Sequence, residues 1–216
     1  MLLGDVIPDL EVETSVGKMK LYDYMGSDWL LLCSHPADYT PVCTTELGRL
    51  AVLQPEFEKR GVKVMALSCD SAESHQGWLG DINKNSGCSV SYPIIADESR
   101  EVAKAFGMLQ TEGFTLQGLP ATVRSVFVIG NDHKVKMSLT YPASTGRNFD
   151  EILRVVDSLK LTADKSVATP VDWKAGDECV ILPSVSNDAA KEKFPNGWKT
   201  VDLPSGKEYL RLVKVD

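Results

Sequence analysis

A chain of 216 residues with 43% hydrophobic and 25% charged side chains has room for one large soluble domain, or one domain and a smaller appendage. Its formal charge of -7 and the lack of a local basic cluster argue against nucleic acid as a partner, and no apolar run reaches membrane-spanning length. Five cysteines, an odd number without framework spacing or a Cys-x-x-Cys pair, fit free thiols; with no signal peptide visible, the expected address is reducing and cytoplasmic.

In chain order, residues 9–22 alternate and turn at Gly17-Lys18, which predicts a hairpin. The apolar run Trp29-Leu30-Leu31-Leu32-Cys33 predicts a buried strand. A helical pattern follows, with Leu47, Leu50, Leu53 and Phe57 on one face and a kink or shift expected at Pro55. Residues 62–68 read as a second strand, 72–84 as a helix with Trp78 and Ile82 on one face, and 85–91 as a loop that exposes Cys88. A short strand at 92–96 and a helix at 98–106 closed by Gly107 come next. Residues 122–129 and 134–139 predict a hairpin about Gly130-Asn131-Asp132. Asn148, with Glu151 three residues on, starts a last helix with Ile152, Val155, Val156 and Leu159 inward. Strands alternating with helices and closing in a hairpin and a helix predict an α/β fold with a central mixed sheet flanked by helices. Beyond about residue 165, Pro170, Pro183, Pro195 and Pro204 recur with glycines between them. The expected division is therefore a main domain over 1–165 and a small, turn-rich C-terminal domain of short strands over 166–216.

The chemistry centres on residues 36–46. Thr40 is a natural N-cap, and Pro41 suits the first helical position, where a missing N–H costs nothing. Cys43 then falls in the first turn, facing unpaired backbone N–H groups and the positive end of the helix dipole. Both favour thiolate over thiol, so Cys43 is expected to be reactive. Cys33 is expected in the core.

Pro36-x-x-x-Thr40-x-x-Cys43 resembles the active-site motif of the peroxiredoxins, thiol peroxidases of thioredoxin-like fold. The wider string Ser34-His35-Pro36 through Cys43-Thr44-Thr45-Glu46-Leu47-Gly48 is similar to the one-cysteine branch. The resemblance continues through Gly118-Leu119-Pro120, Arg124, residues 141–148 and residues 167–173, nearly the whole chain. It implies reduction of hydrogen peroxide and organic hydroperoxides through a sulfenic acid on Cys43, without cofactor or metal. Arg124 would address thiolate and peroxide, Thr40 would donate its hydroxyl to the sulfur or the peroxide, and Pro36 would shield the sulfur from water. His35, Glu46 and Arg147 are supporting candidates; His75 and His133 sit among polar residues and receive no role. The reductant would be an external thiol of the glutathione or thioredoxin type, because Thr169 stands where two-cysteine relatives carry a resolving cysteine. Cys179 is the other thiol of that region. The C-terminal extension implies a homodimer.

Other readings share these residues. A cysteine hydrolase or transferase would pair Cys43 with His35, but offers no third member. A peroxide sensor or holdase would use the same oxidised sulfur to alter a binding surface. The lipase-like serine motif that some relatives carry is absent: the matching run is Gly26-Ser27-Asp28-Trp29-Leu30, with Asp28 in the serine's place, Leu30 in the closing glycine's and Tyr22 in the histidine's, and only Asp132 matches a member of that triad.

Overall fold

The computed structural model describes residues 1–110, 115–116 and 118–215 and divides into two compact units, Met1–Phe149 and Asp150–Asp216. The first opens on a hairpin of β1 (Glu11–Val12) and β2 (Met19–Lys20), and then a one-turn helix α1 (Leu21–Met25) where the hairpin pattern predicted continued strand. Next come β3 (Trp29–Ser34), α2 (Pro41–Glu58), β4 (Val62–Ser68), α3 (Ala72–Ser86), β5 (Ile94–Ala96) and α4 (Glu101–Phe106). Two short strands, β6 (Thr115–Leu116) and β7 (Leu119–Pro120), precede the hairpin of β8 (Arg124–Ile129) and β9 (Val135–Tyr141).

Five strands form one sheet in the order β5-β4-β3-β8-β9. β3 runs parallel to β4, and β4 to β5, whereas β8 is antiparallel to both β3 and β9, so the sheet is mixed. All six residues of β3 and of β8 are buried, as central strands covered on both faces require. One face packs Leu30, Leu32, Met65, Leu67, Phe127 and Ile129 against α1 and α4. By the two-residue period of a strand, Leu31, Cys33, Val64 and Val126 point to the other face.

Two details fix α2, which carries Cys43. Gly48 lies so close to α3 that a Cβ there would overlap the Ser86 hydroxyl, and the Trp78 indole Nε1 donates to Thr44 Oγ1 at 3.3 Å. The helix runs unbroken through Pro55, which sits in the last turn. A proline there forfeits a single hydrogen bond near the end of an already packed helix.

The second unit takes α5 (Phe149–Asp164) from its second residue on; Ile152 and Val156 are buried while Val155 and Leu159 are half-buried. It continues with β10 (Val167–Ala168), β11 (Cys179–Ile181), α6 (Asn187–Lys193), β12 (Lys199–Thr200) and β13 (Arg211–Val213). Its four strands pair in the order β10-β11-β13-β12 around Val167, Trp173, Ile181 and Val213. Helix α6 was not expected in a region dense in proline and glycine. Ser186 starts it with a side-chain cap, accepting from the Ala189 N–H at 3.2 Å. No helix among the described residues is long and apolar enough to cross a membrane.

Candidate active site

β3 ends at Ser34 in the middle of the sheet, and α2 starts seven residues later, so the connecting segment lies at the carboxyl end of a central strand. Open α/β sheets form their ligand crevices at such ends. The Ser34 hydroxyl bridges to the neighbouring strand, donating to Val123 O at 2.6 Å and accepting from Ser125 N–H at 3.0 Å. This lock sets β8 beside the start of α2.

Cys43 is wholly buried in the first turn of α2. Its sulfur accepts from Arg124 Nη1 at 3.2 Å, and the same nitrogen lies 2.8 Å from Glu46 Oε2. Arg124 Nε and Nη2 both donate to Ala143 O, at 2.9 and 2.6 Å, which aims the guanidinium. Arg147 completes the arrangement. Its backbone N–H and Nε donate to Glu46 Oε1 at 2.7 and 2.9 Å, and its Nη2 to Oε2 at 2.8 Å. Its Nη1 donates to Ser34 O and Ser125 O, each at 2.9 Å.

The outcome is a buried triad, Arg124–Glu46–Arg147, with its three members 3%, 4% and 8% exposed. Two guanidiniums face one carboxylate, which leaves net positive charge next to the sulfur. Burial alone would raise the Glu46 carboxyl, but the charge and hydrogen bonds of Arg147, with Arg124 behind them, hold it below the ordinary carboxylate range. Arg147 keeps its proton more firmly than usual despite burial, through the nearby sulfurs and Glu46.

Burial disfavours ionisation of Cys33, Cys69, Cys88 and Cys179. Cys33 rises to about 11, only partly offset by the Arg147 charge, and Cys69 also rises to about 11. Cys88 and Cys179 are raised by burial as well. Cys179 lies in β11 inside the core of the second unit, and Cys88 is half-buried.

Pro36 is buried at the end of β3, and Tyr39, three residues on, adopts the left-handed backbone conformation (φ 53°). Thr40 occupies the N-cap position but makes no side-chain cap. Its hydroxyl donates instead to Ala37 O at 2.8 Å, so its one proton is not directed at the sulfur and its lone pairs are what it offers. The reason is local: the turn before the helix brings the Ala37 carbonyl within reach three residues back.

His35 is also wholly buried, but its Nε2 bonds Asp38 Oδ1 at 3.0 Å and its Nδ1 has no hydrogen-bond partner. Among the described residues no histidine is paired with the Cys43 sulfur, which removes the geometric basis for a Cys–His hydrolase. His75, expected in polar surroundings, is entirely buried between Asp38 and Ile95. The overlooked signal is spacing: His75, Trp78 and Ile82 recur at i, i+3 and i+7, the inward face of α3. His133 stacks on Tyr22 with ring centroids 3.6 Å apart, and Asp132 pairs with Lys136 at 2.7 Å. The lipase-like positions are therefore engaged elsewhere and present no serine nucleophile.

The mixed sheet in the order β5-β4-β3-β8-β9, with α2 following its central strand, gives an α/β protein of thioredoxin-like fold. Comparison with known proteins gives the same class. The AhpC/TSA family model matches residues 3–138, and the model for the C-terminal domain of 1-Cys peroxiredoxin matches residues 158–197. The chain belongs to the AhpC/TSA family of peroxiredoxins, in the one-cysteine branch, and is a peroxidase. It is 55% identical to peroxiredoxin-6 of Homo sapiens over 216 residues, covering 98% of this chain and 96% of that protein. Among solved structures it is similar to a cysteine-to-serine mutant of the peroxiredoxin 6 of Arenicola marina, with TM-score 0.95, 51% identity, and 99% and 98% of the two chains covered. It is also similar to a yeast mitochondrial 1-Cys peroxiredoxin described for thiol resolution via glutathione and thioredoxin systems, with TM-score 0.91, 44% identity and both chains fully covered.

Proposed function

We propose that the chain reduces hydrogen peroxide and organic hydroperoxides by a one-cysteine mechanism with Cys43 as the peroxidatic residue. The observation that carries this reading is the 3.2 Å contact from Arg124 Nη1 to Cys43 Sγ inside the Arg124–Glu46–Arg147 triad. The Cys43 thiolate attacks one peroxide oxygen, an S–O bond forms and the O–O bond breaks. The departing oxygen takes the electron pair and leaves as hydroxide or alkoxide, then gains a proton. Arg124 stabilises the thiolate and then the charge growing on the leaving oxygen; because its other donors are fixed on Ala143, it need not reorganise. Glu46 and Arg147 hold that guanidinium in place. Pro36 keeps water from the sulfur, Thr40 offers its hydroxyl oxygen to the peroxide, and the bare His35 nitrogen accepts an incoming O–H.

The cycle closes when an external thiol attacks the sulfenic sulfur, releases water, and a second thiol frees Cys43 as a disulfide of the reductant forms. Glutathione or a thioredoxin-type protein fits that role, as described for the yeast relative. Thr169 stands at the resolving position, where a hydroxyl cannot act, and Cys179 is enclosed in the core of its unit. The proposed organisation is a peroxidase domain over 1–165 with an extension over 166–216 that contacts a partner copy, in a cytoplasmic homodimer without nucleic-acid partners. Strand β9 lies at the end of the five-stranded sheet, and residues 4–7 hydrogen-bond alongside only its Val135 end; the rest of that edge supports pairing between copies. Sedimentation at micromolar concentration should give a dimer; monomer alone would remove that part.

The functional test is a steady-state assay of the purified protein with hydrogen peroxide or an organic hydroperoxide and each candidate thiol in turn. Turnover with at least one thiol is expected. No peroxide consumption with any thiol, from protein whose Cys43 is reduced, would overturn the reading.

A further inference from the structure

Arg124 can serve the sulfur only while its guanidinium is aimed, and the strand that carries it runs out of ladder just short of it. β8 pairs with β3 in a register that runs from Leu30↔Ile129 to Cys33↔Val126 and stops there. Continued, that register would set Ser34 opposite Ser125, His35 opposite Arg124 and Pro36 opposite Val123. Two things prevent it. β3 ends at Ser34 to turn toward α2, and Pro36 has no N–H to give to a ladder. Arg124 therefore lies past the end of the β3 pairing, and its regular strand partner is Tyr141 of β9 on the opposite side.

Side chains take over where the ladder stops. The Ser34 hydroxyl donates to Val123 O at 2.6 Å and accepts from the Ser125 N–H at 3.0 Å, so one oxygen holds the backbone on both sides of Arg124. It supplies Val123 O with the proton that Pro36 cannot. A second stitch runs from the other strand: the Thr122 hydroxyl donates to His35 O at 2.6 Å, two residues before Arg124. Ser34, Thr122, Ser125 and Arg124 are all buried, so these bonds are not shared with bulk water.

The consequence falls on the guanidinium. Its far end is tied by Nε and Nη2 to Ala143 O, and its root is tied by the Ser34 hydroxyl through residues 123 and 125. With both ends fixed, Nη1 is left at 3.2 Å from the Cys43 sulfur. A root free to swing would carry Nη1 off that line, and a misplacement of about 1 Å at a reacting centre can cost about 100-fold in rate.

We propose that the hydroxyls of Ser34 and Thr122 are positioning groups of the peroxidatic site: they stand in for the missing ladder between β3 and β8 and so hold Arg124 Nη1 on the Cys43 sulfur. Their protons are spent on backbone carbonyls, so they act through Arg124 and not on the peroxide. The catalytic role rests on the peroxidase reading; the placing of Arg124 does not.

Ser34→Ala removes one hydroxyl without adding bulk. A crystal structure of the reduced variant should show Arg124 Nη1 displaced from the sulfur while Glu46 keeps its bonds to Arg147; a guanidinium still in place would overturn the proposal. Single-turnover reaction with hydrogen peroxide, at a pH where thiolate absorbance shows full ionisation, should be about 10- to 100-fold slower than wild type. The same substitution is then made in Arg124→Leu, where it should cost nothing more, because the group it positions is gone. Equal losses in the two backgrounds would show that Ser34 acts on the fold at large, and the proposal would fall. Thr122 repeats the test with little change of shape, and carries it alone if Ser34→Ala does not fold. Thr122→Val lacks the hydroxyl and should slow the same step, whereas Thr122→Ser keeps it and should recover most of the rate; equal rates for the two would count against the stitch. A displaced guanidinium in Ser34→Ala, together with a wild type that consumes no peroxide, would strike the peroxidase reading and with it the catalytic role of both hydroxyls.

Discussion

Replacing Arg124 by leucine separates what this arginine does for the fold from what it does for the reaction. Glu46 would not be orphaned, because Arg147 still gives it three donors at 2.7, 2.9 and 2.8 Å. The about 3–5 kcal/mol expected when a buried ion is left without a partner therefore does not apply. The lasting loss is at Ala143 O, which gives up both of its guanidinium bonds. An unsatisfied buried acceptor costs about 1–3 kcal/mol, and Ala143 is only half-buried, so the lower end is expected. Catalysis should suffer far more, since removing one preorganised donor to a developing charge costs about 2.7–4 kcal/mol, or about 100- to 1000-fold. The assay is single-turnover stopped flow at a pH where thiolate absorbance shows the variant's sulfur fully ionised, with near-UV circular dichroism and urea unfolding on the same sample. A rate that returns to the wild-type value at full ionisation would refute the transition-state argument and leave Arg124 only a stabiliser of the thiolate. A variant that cannot fold would refute the claim that Arg147 alone satisfies Glu46.

Serine in place of Cys43 should abolish peroxide consumption, whereas serine at Cys33, Cys69, Cys88 or Cys179 should leave most of it, since burial disfavours ionisation at each of those four. One equivalent of peroxide should leave a trap-reactive sulfenate on monomeric chains in a non-reducing gel; a stoichiometric Cys43–Cys179 disulfide would end the one-cysteine assignment. Glu46 and Asp38 have folded-state carboxyls held below their ordinary values, so between those values and about pH 4 the unfolded chain binds protons that the folded chain does not. Their stabilisation is present above about pH 4 and drains away as pH falls. Urea midpoints at descending pH should show that loss, and Glu46→Gln should flatten the slope while costing about 3–5 kcal/mol at neutral pH; an unchanged slope would show that Glu46 is not linked to folding.

The parts of this site that were legible in the sequence are local ones. Thr40, Pro41 and Cys43 fall within four residues, and the strand before them and helix after them follow from apolar spacing. Arg124 is different: alternation along a strand allows either face, and only likeness to a family chose the inner one. Glu46 and Arg147 meet across 101 residues, a distance at which patterning carries no information. Asp38 looks like a turn residue and His75 like a polar helix residue, because the reason each is buried is the other. Short elements went unseen for another reason. Helix α1 is five residues long, too short for its apolar period to repeat, and α6 is hidden among prolines although Ser186 announces it.

The site is also spread widely along the chain: Cys43 contacts a residue 81 positions downstream, and Ser34 one 113 positions downstream. During synthesis at about 5–20 residues per second, the cysteine emerges first and Arg147 follows about 5–20 seconds later. Until Arg124 emerges, 81 residues after the cysteine, no guanidinium of the triad can reach the sulfur, and only when Arg147 follows is the triad complete. On the mechanism proposed above, a nascent chain carries its thiol without that guanidinium, and reactivity is switched on by the closing of the sheet. Folding itself is the activation step, and a ribosome-stalled fragment ending before Arg124 should react with peroxide no faster than a simple thiol.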